Sequence, residues 1–191
     1  MHVSLDGFVA TPNGEMDWVT MNDDEVGKYL IADLLTNADT MLLGRVLYQG
    51  FESYWPATAK NPSTPKNLVD FANWVDNSPK IVFSTTLKKV EWKNSELIQI
   101  KSDEDISEEV KKLKQKPGKD MVIFGGARMA ATLVVLGLID EYRLKLEQVI
   151  LGSGKPLFKE INERVKLKLV KSKDFDSGVV GLYYESLKKH N

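Results

Sequence analysis

The chain is predicted to be an α/β protein whose sheet begins parallel and ends antiparallel. Three observations carry that prediction. The runs Met41-Leu42-Leu43 and Met121-Val122-Ile123-Phe124 are continuously apolar, as strands covered on both faces are. Each run meets glycine and then a helical pattern, at Gly44-Arg45 and at Gly125-Gly126-Ala127-Arg128. The last third alternates apolar and charged residues around the turn signal Asp176-Ser177-Gly178.

The elements follow in order. Residues 23–38, DDEVGKYLIADLLTNA, place Val26, Tyr29, Leu30, Ala32 and Leu34 on a broad helical face, with Asn22 or Asp23 as N-cap. A strand is expected from Thr40 to Leu43, then a short helix from Arg45, then the polar, proline-bearing loop WPATAKNPSTP. From Pro65 a helix presents Leu68, Phe71, Ala72 and Val75 at helical spacing. KIVFSTT and ELIQI read as strands, and SDEDISEEVKKLKQKPG as a charged helix with acids at its start and lysines near its end, matching the helix dipole. In DEYRLKLEQVIL, Tyr142, Leu144 and Leu146 alternate with Arg143, Lys145 and Glu147, the pattern of a half-buried strand. VKLKLVKSKDF and VVGLYYESLK close the chain as a hairpin.

Composition narrows the chemistry. With 191 residues, 42% of them hydrophobic and 28% charged, a single domain spanning 1–191 is expected. The 26 basic and 27 acidic residues nearly cancel, so no broad field for nucleic acid or anionic membrane exists. There is no cysteine, which removes disulfides, thiolate metal sites and cysteine nucleophiles and fits a reducing, cytoplasmic setting. The two histidines, His2 and His190, lie near the termini, so neither a histidine metal site nor a Ser-His-Asp triad is expected. No run approaches the roughly 18 apolar residues of a membrane span.

The two glycine junctions suggest a phosphate. At the C-terminal end of a parallel strand, glycine lets backbone approach a ligand, and the next helix offers unpaired N–H groups with a partial positive charge. Arg45 and Arg128 would each add a planar, permanently charged fork. Ser84, Thr85 and Thr86 follow a third strand end, where their hydroxyls either donate to an anion or close a turn.

In this order and spacing, LLGRVLYQGF, KIVFSTTL, IFGGARMAATLVVLGLIDEYRL and VILGSGKPLF resemble the dihydrofolate reductase superfamily. The resemblance is closer to its branch containing the reductase domain of riboflavin biosynthesis (RibD C-terminal domain-like), whose N-terminal pattern is matched by VSLDGFVATPNGEMDW. Only Met1, His2 and Val3 precede its Ser4-Leu5-Asp6-Gly7 turn, where the branch has a full strand. The resemblance implies a three-layer fold with a mixed, mostly parallel sheet, helices on both faces and a C-terminal antiparallel hairpin. It implies an NADPH-dependent oxidoreductase. Gly44 and Arg45 would approach the adenosine phosphates, Ser84, Thr85 and Thr86 the 2′-phosphate, and Gly125, Gly126, Ala127 and Arg128 the pyrophosphate. Val9 and Ala10 match positions lining the nicotinamide pocket.

The implied chemistry is hydride transfer to an electrophilic C=N or C=O carbon, with a proton delivered to the neighbouring heteroatom. Asp6 and Asp23 are the candidate acids, though Asp6 equally suits a cap on the turn before Gly7 and Asp23 a helix start. Trp18 is either a wall of the substrate pocket or a core anchor of a loop, residues 7–18, that closes over the site. The expected substrate is the ribosylamino-pyrimidine of riboflavin biosynthesis. The alternatives are a pterin, dihydrofolate or a xenobiotic carbonyl, or else a non-catalytic nucleotide-binding role. A homodimer is expected, paired through the closing hairpin or the strand at 140–151.

Overall fold

The computed structural model describes residues 1–19, 24–124, 126–161 and 163–187, so the candidate cap positions 22 and 23 lie outside the described residues. Along the chain run β1 (His2–Val3), β2 (Phe8–Ala10), α1 (Asp24–Asn37), β3 (Ala38–Gly44), α2 (Arg45–Lys60), α3 (Lys66–Asn77), β4 (Lys80–Ser84), β5 (Ser95–Gln99), α4 (Asp103–Lys114), β6 (Asp120–Val122), α5 (Ala127–Val135), β7 (Glu141–Leu146), β8 (Lys155–Pro156), β9 (Lys166–Asp174) and β10 (Val180–Leu187). The α/β class expected from the sequence is borne out: parallel strands joined through helices, then antiparallel strands. The chain divides into two compact units, a terminal unit of Met1–Val26 with Ala127–Asn191 and an inserted unit of Gly27–Gly126.

The inserted unit is built on a parallel sheet of order β5-β4-β3-β6. β3 can be central because Met41, Leu42 and Leu43 are all buried, which leaves both of its edges to neighbours: Met41 to Gly44 pair with Lys80 to Phe83, and Met41 also pairs with Val122. Met41, Leu43, Tyr48, Phe71, Val75, Val82 and Trp92 form the core against this sheet. α4 starts as its sequence demands. Ser102 accepts from the Asp105 amide while the Asp105 carboxylate accepts from the Ser102 amide, closing a capping box.

Two features of this unit depart from expectation. Residues 55–60 are not loop: α2 runs on through Pro56 to Lys60. Proline inside a helix forfeits one hydrogen bond and costs about 3 kcal/mol. Burying Trp55 against Phe71 (ring centroids 4.7 Å) and Phe51 (5.7 Å) offsets that loss. The second departure is β6, which ends at Val122, with Met121 to Phe124 only half-buried. Among the described residues β6 pairs only with β3, and its half-buried side chains show that, of the two runs, the double coverage holds for Met41 to Leu43.

Lys80 is a buried polar residue the pattern did not announce. It is fully enclosed, and its ammonium donates to the carbonyls of Asp76 (3.0 Å), Ser78 (2.8 Å) and Lys93 (3.2 Å) while lying 4.3 Å from the centre of the Trp92 ring. The side chain thereby closes the C-terminal end of α3. Burial pulls its pKa down to about 8.

The terminal unit holds a mixed sheet of order β1-β7-β10-β9 and a small antiparallel pair, β2-β8. The single sheet expected from the sequence is therefore resolved into separate sheets. β9 and β10 form the expected hairpin, with Gly178 at φ 87° in its turn. β1 lies parallel to β7, Val3 beside Leu146, and Val3 packs with Val9 and Leu157. The in-and-out alternation expected of β7 is not observed, because Arg143 and Lys145 are as half-buried as Leu144 and Leu146. Glu147 just beyond it is 2% exposed and holds His2 Nδ1 at 2.7 Å, while Lys145 Nζ stands 3.2 Å from His2 Nε2. Lys145 has its pKa lowered to about 8 by desolvation. Ala32 of α1 is exposed, contrary to the helical face drawn above; Val26 and Leu34 of that face are buried.

Candidate functional site

The inserted unit concentrates the predicted phosphate residues at one edge. β3 is followed through α2 and α3 by β4 on one side, whereas β6 adds on its other side, so strand order reverses between β3 and β6. Ligands of open parallel sheets bind beyond the strand C-termini at such a reversal. At this place β3 ends in Gly44, paired with Phe83, so Ser84 is the next residue on the neighbouring strand. On the other side β6 leads through Phe124 to Gly126, which adopts φ 77°. Gly125 lies outside the described residues.

Gly44 also serves as N-cap of α2, in an extended conformation (φ −87°, ψ 162°) with no side-chain cap hydrogen bond. The first turn of α2 contains no acid, and its first residue is Arg45, exposed, with Nη1 3.4 Å from Gln49 Oε1. An uncapped helix start, with an arginine and without a competing carboxylate, is an anion-binding arrangement. Ser84 is 4% exposed, and its Oγ accepts from the amides of Thr86 (3.1 Å) and Leu87 (3.0 Å). Of the two readings given to this hydroxyl cluster, Ser84 makes the turn. The turn leaves Thr85 and Thr86 exposed at the same edge.

The remaining candidates belong to the terminal unit. Val9 and Ala10 are buried on β2, where Ala10 pairs with Lys155 and Phe8 with Pro156. Asp6 is an anchor of the loops around them. It receives the Ser4 hydroxyl at 2.6 Å and the amides of Leu151 (3.1 Å) and Gly152 (2.7 Å), and the Ser4 hydroxyl in particular holds its carboxyl below the usual carboxylate range. A carboxylate so satisfied stays ionised near neutral pH and carries no proton to donate. Trp18 is half-buried, its Nε1 enclosed without an acceptor among the described residues. Ala127 and Arg128 open α5, whose first turn also lacks an acid; Arg128 is exposed. Asp23 lies outside the described residues.

Sequence reasoning did not single out Gly154. A Cβ on Gly154 would stand 2.3 Å from the Ala10 carbonyl oxygen, so only glycine lets this chain segment pass β2. The signal was present in VILGSGKPLF as a glycine inside a strand-like run, the mark of a close backbone approach. Nor did it foresee the aromatic group formed by Phe51, Trp55, Phe71, Trp74 and Phe124, whose members come from α2, α3 and the segment after β6.

Comparison with known proteins agrees with this architecture. The family model described as RibD C-terminal domain matches residues 1–181. The uncharacterized protein YyaP of Bacillus subtilis is 41% identical over 182 residues, covering 95% of this chain and 90% of YyaP. Among solved structures, a diaminohydroxyphosphoribosylaminopyrimidine deaminase/5-amino-6-(5-phosphoribosylamino)uracil reductase from Thermotoga maritima superposes with a TM-score of 0.65 at 15% identity, covering 97% of this chain and 54% of that one. Dihydrofolate reductase from Enterococcus faecalis, complexed with NADP(H), gives 0.61 at 16% identity, covering 98% and 94%.

Proposed function

From the premise that this chain belongs to the RibD C-terminal domain family, we propose that it is an NADPH-dependent reductase of a small heterocyclic or sugar-imine substrate. The observation that carries the reading is the strand-order reversal of the inserted unit, where the uncapped start of α2 with Arg45 and the Ser84 turn follow the neighbouring ends of β3 and β4, and Gly126 follows β6 on the other side. Those residues suit phosphates in charge, hydrogen-bonding capacity and backbone clearance. Arg45 with Thr85 and Thr86 would take the 2′-phosphate, and Gly44 with Gly126 would let the pyrophosphate approach the backbone. Bound there, NADPH supplies the hydride. The chain's own part is to fix the phosphates and exclude water.

The best substrate guess is the 5-amino-6-(5-phosphoribosylamino)uracil named for the Thermotoga maritima protein. A pterin, dihydrofolate or a xenobiotic carbonyl is the alternative, separable by a substrate panel. A cytoplasmic setting belongs to the same reading, supported by the cysteine-free sequence. So does a homodimer: β9 is the outer strand of its sheet and carries Leu169 and Val170, 50% and 53% exposed. Sedimentation of wild type and Val170→Lys tests this, with a dimer expected to become a monomer.

Calorimetric titration with NADPH and NADH tests the cofactor reading. Wild type should bind NADPH more tightly than NADH, Gly126→Val should abolish binding in a folded protein, and Arg45→Ala should weaken NADPH far more than NADH. Failure of wild type to bind NADPH would overturn the reading.

A further inference from the structure

Phe124, we propose, is a positioning residue that sets the Gly126 turn against the start of α2. This inference rests on the phosphate reading above. A turn written Gly125-Gly126 has no side chain of its own to hold it, and glycine is the residue that loses most freedom when ordered. Among the described residues, the β3–β6 ladder ends at Met41 and Val122, short of the turn. The segment leading into the turn is held instead by the Phe124 ring. Its centre lies 5.8 Å from Phe51 of α2, 5.6 Å from Phe71 and 5.9 Å from Trp74 of α3, edge-on to the last two at 73° and 75°.

Each of those rings is itself fixed. Trp74 Nε1 donates to the Ala38 carbonyl of β3 at 3.3 Å, and Phe71 is 8% exposed in the core. Phe51 stands on α2, the helix whose first residue is Arg45. One aromatic contact thus ties two phosphate-binding elements, the turn at Gly126 and the helix start at Gly44, into a single geometry. A ligand that engages both elements benefits from that tie, and a ligand that engages only the helix start and the Ser84 turn does not.

The difference can be measured by titrating wild type, Phe124→Ala and Phe124→Leu with NADPH and with adenosine 2′-monophosphate, which lacks the pyrophosphate. The titrations are run at a temperature where circular dichroism shows each protein folded. Phe124→Ala should weaken NADPH roughly tenfold, the cost of ordering about one more backbone residue, and leave adenosine 2′-monophosphate within twofold of wild type. Phe124→Leu should weaken NADPH by about threefold, and it decides the matter if the alanine variant does not fold. Unchanged NADPH affinity, or equal losses for both ligands, overturns the positioning role, because a ring that serves stability alone lowers the melting temperature without separating the two ligands. Wild type that binds neither ligand overturns the cofactor reading and this inference together.

Discussion

Replacing Gly154 by alanine adds one methyl group at a place where backbone occupies the space. The new Cβ would lie 2.3 Å from the Ala10 carbonyl oxygen and 3.1 Å from Phe8 Cβ. An ordinary contact needs a retreat of roughly 1 Å. The first obstacle is main chain and cannot rotate away as a side chain would. β2 and β8 must therefore part, loosening a short pairing at Phe8–Pro156 and Ala10–Lys155 that the Leu157 amide continues to the Gly7 carbonyl. The φ of Gly154 is not in the left-handed region, so steric collision alone sets the cost. Overpacking of this kind costs about 2–3 kcal/mol, or roughly 4–12 °C of melting temperature in a chain of this size. Gly50 is the matched control, lying within α2 with nothing inside 4 Å of its added Cβ. Gly50→Ala should stabilise by about 1 kcal/mol through helix propensity. Thermal denaturation of both variants gives the answer, and a Gly154→Ala protein as stable as wild type would refute the close-approach account of β2.

Tyr48→Phe should cost about 1–3 kcal/mol in urea denaturation, because the Tyr48 hydroxyl accepts from the amides of Glu91 (3.1 Å) and Trp92 (3.0 Å) and its loss leaves both donors unpaired; a change under about 0.5 kcal/mol would contradict this. Lys80 has a folded pKa of about 8 against an ordinary 10.5, so between those values the unfolded chain binds more protons and stability rises with pH. Lys80→Met should make that rise shallower in urea midpoints taken from pH 7.5 to 10, and an unaltered slope would count against it. Asp6 has the same sign of linkage in a lower pH window: its lowered pKa contributes stability above the ordinary carboxylate range that is lost as the pH falls through the folded value. Asp6→Asn should therefore melt earlier at pH 7, with the gap to wild type closing in acid; a gap independent of pH would show that charge is not the cause.

Much of the candidate edge was legible in the sequence because it is made of local signals. Gly44 and Gly126 follow apolar runs, Arg45 opens a helical pattern, and hydroxyls follow KIVF, each signal being contained in a few consecutive residues. The helix at Asp103–Lys114 and the hairpin around Gly178 were legible for the same reason, capping and turn chemistry being short-range. What escaped depends on distant neighbours. Pro56 signals a break, yet α2 continues past it with Trp55 packed against Phe71 of α3. Arg143, Lys145 and Glu147 alternate as a solvent face does, but β1 supplies His2 beside Lys145 and Glu147 and turns that face inward. Asp6 was weighed as acid or turn cap; its strongest partner, the Ser4 hydroxyl, is local, but the amides of Leu151 and Gly152 that join it lie far along the chain.

The reversal of strand order between β3 and β6 also has a kinetic side. The crevice does not exist until β6 has closed beside β3, a contact that brings residues 41 and 122 together and pays the loop-closure entropy of everything between them. β4 can pair with β3 beforehand through the shorter connection of α2 and α3. A phosphate ligand at this edge would recognise only the chain that has completed that last pairing. It would leave the folding rate nearly unchanged and slow the reverse step, so the cofactor would lengthen the lifetime of the folded inserted unit rather than hasten its formation.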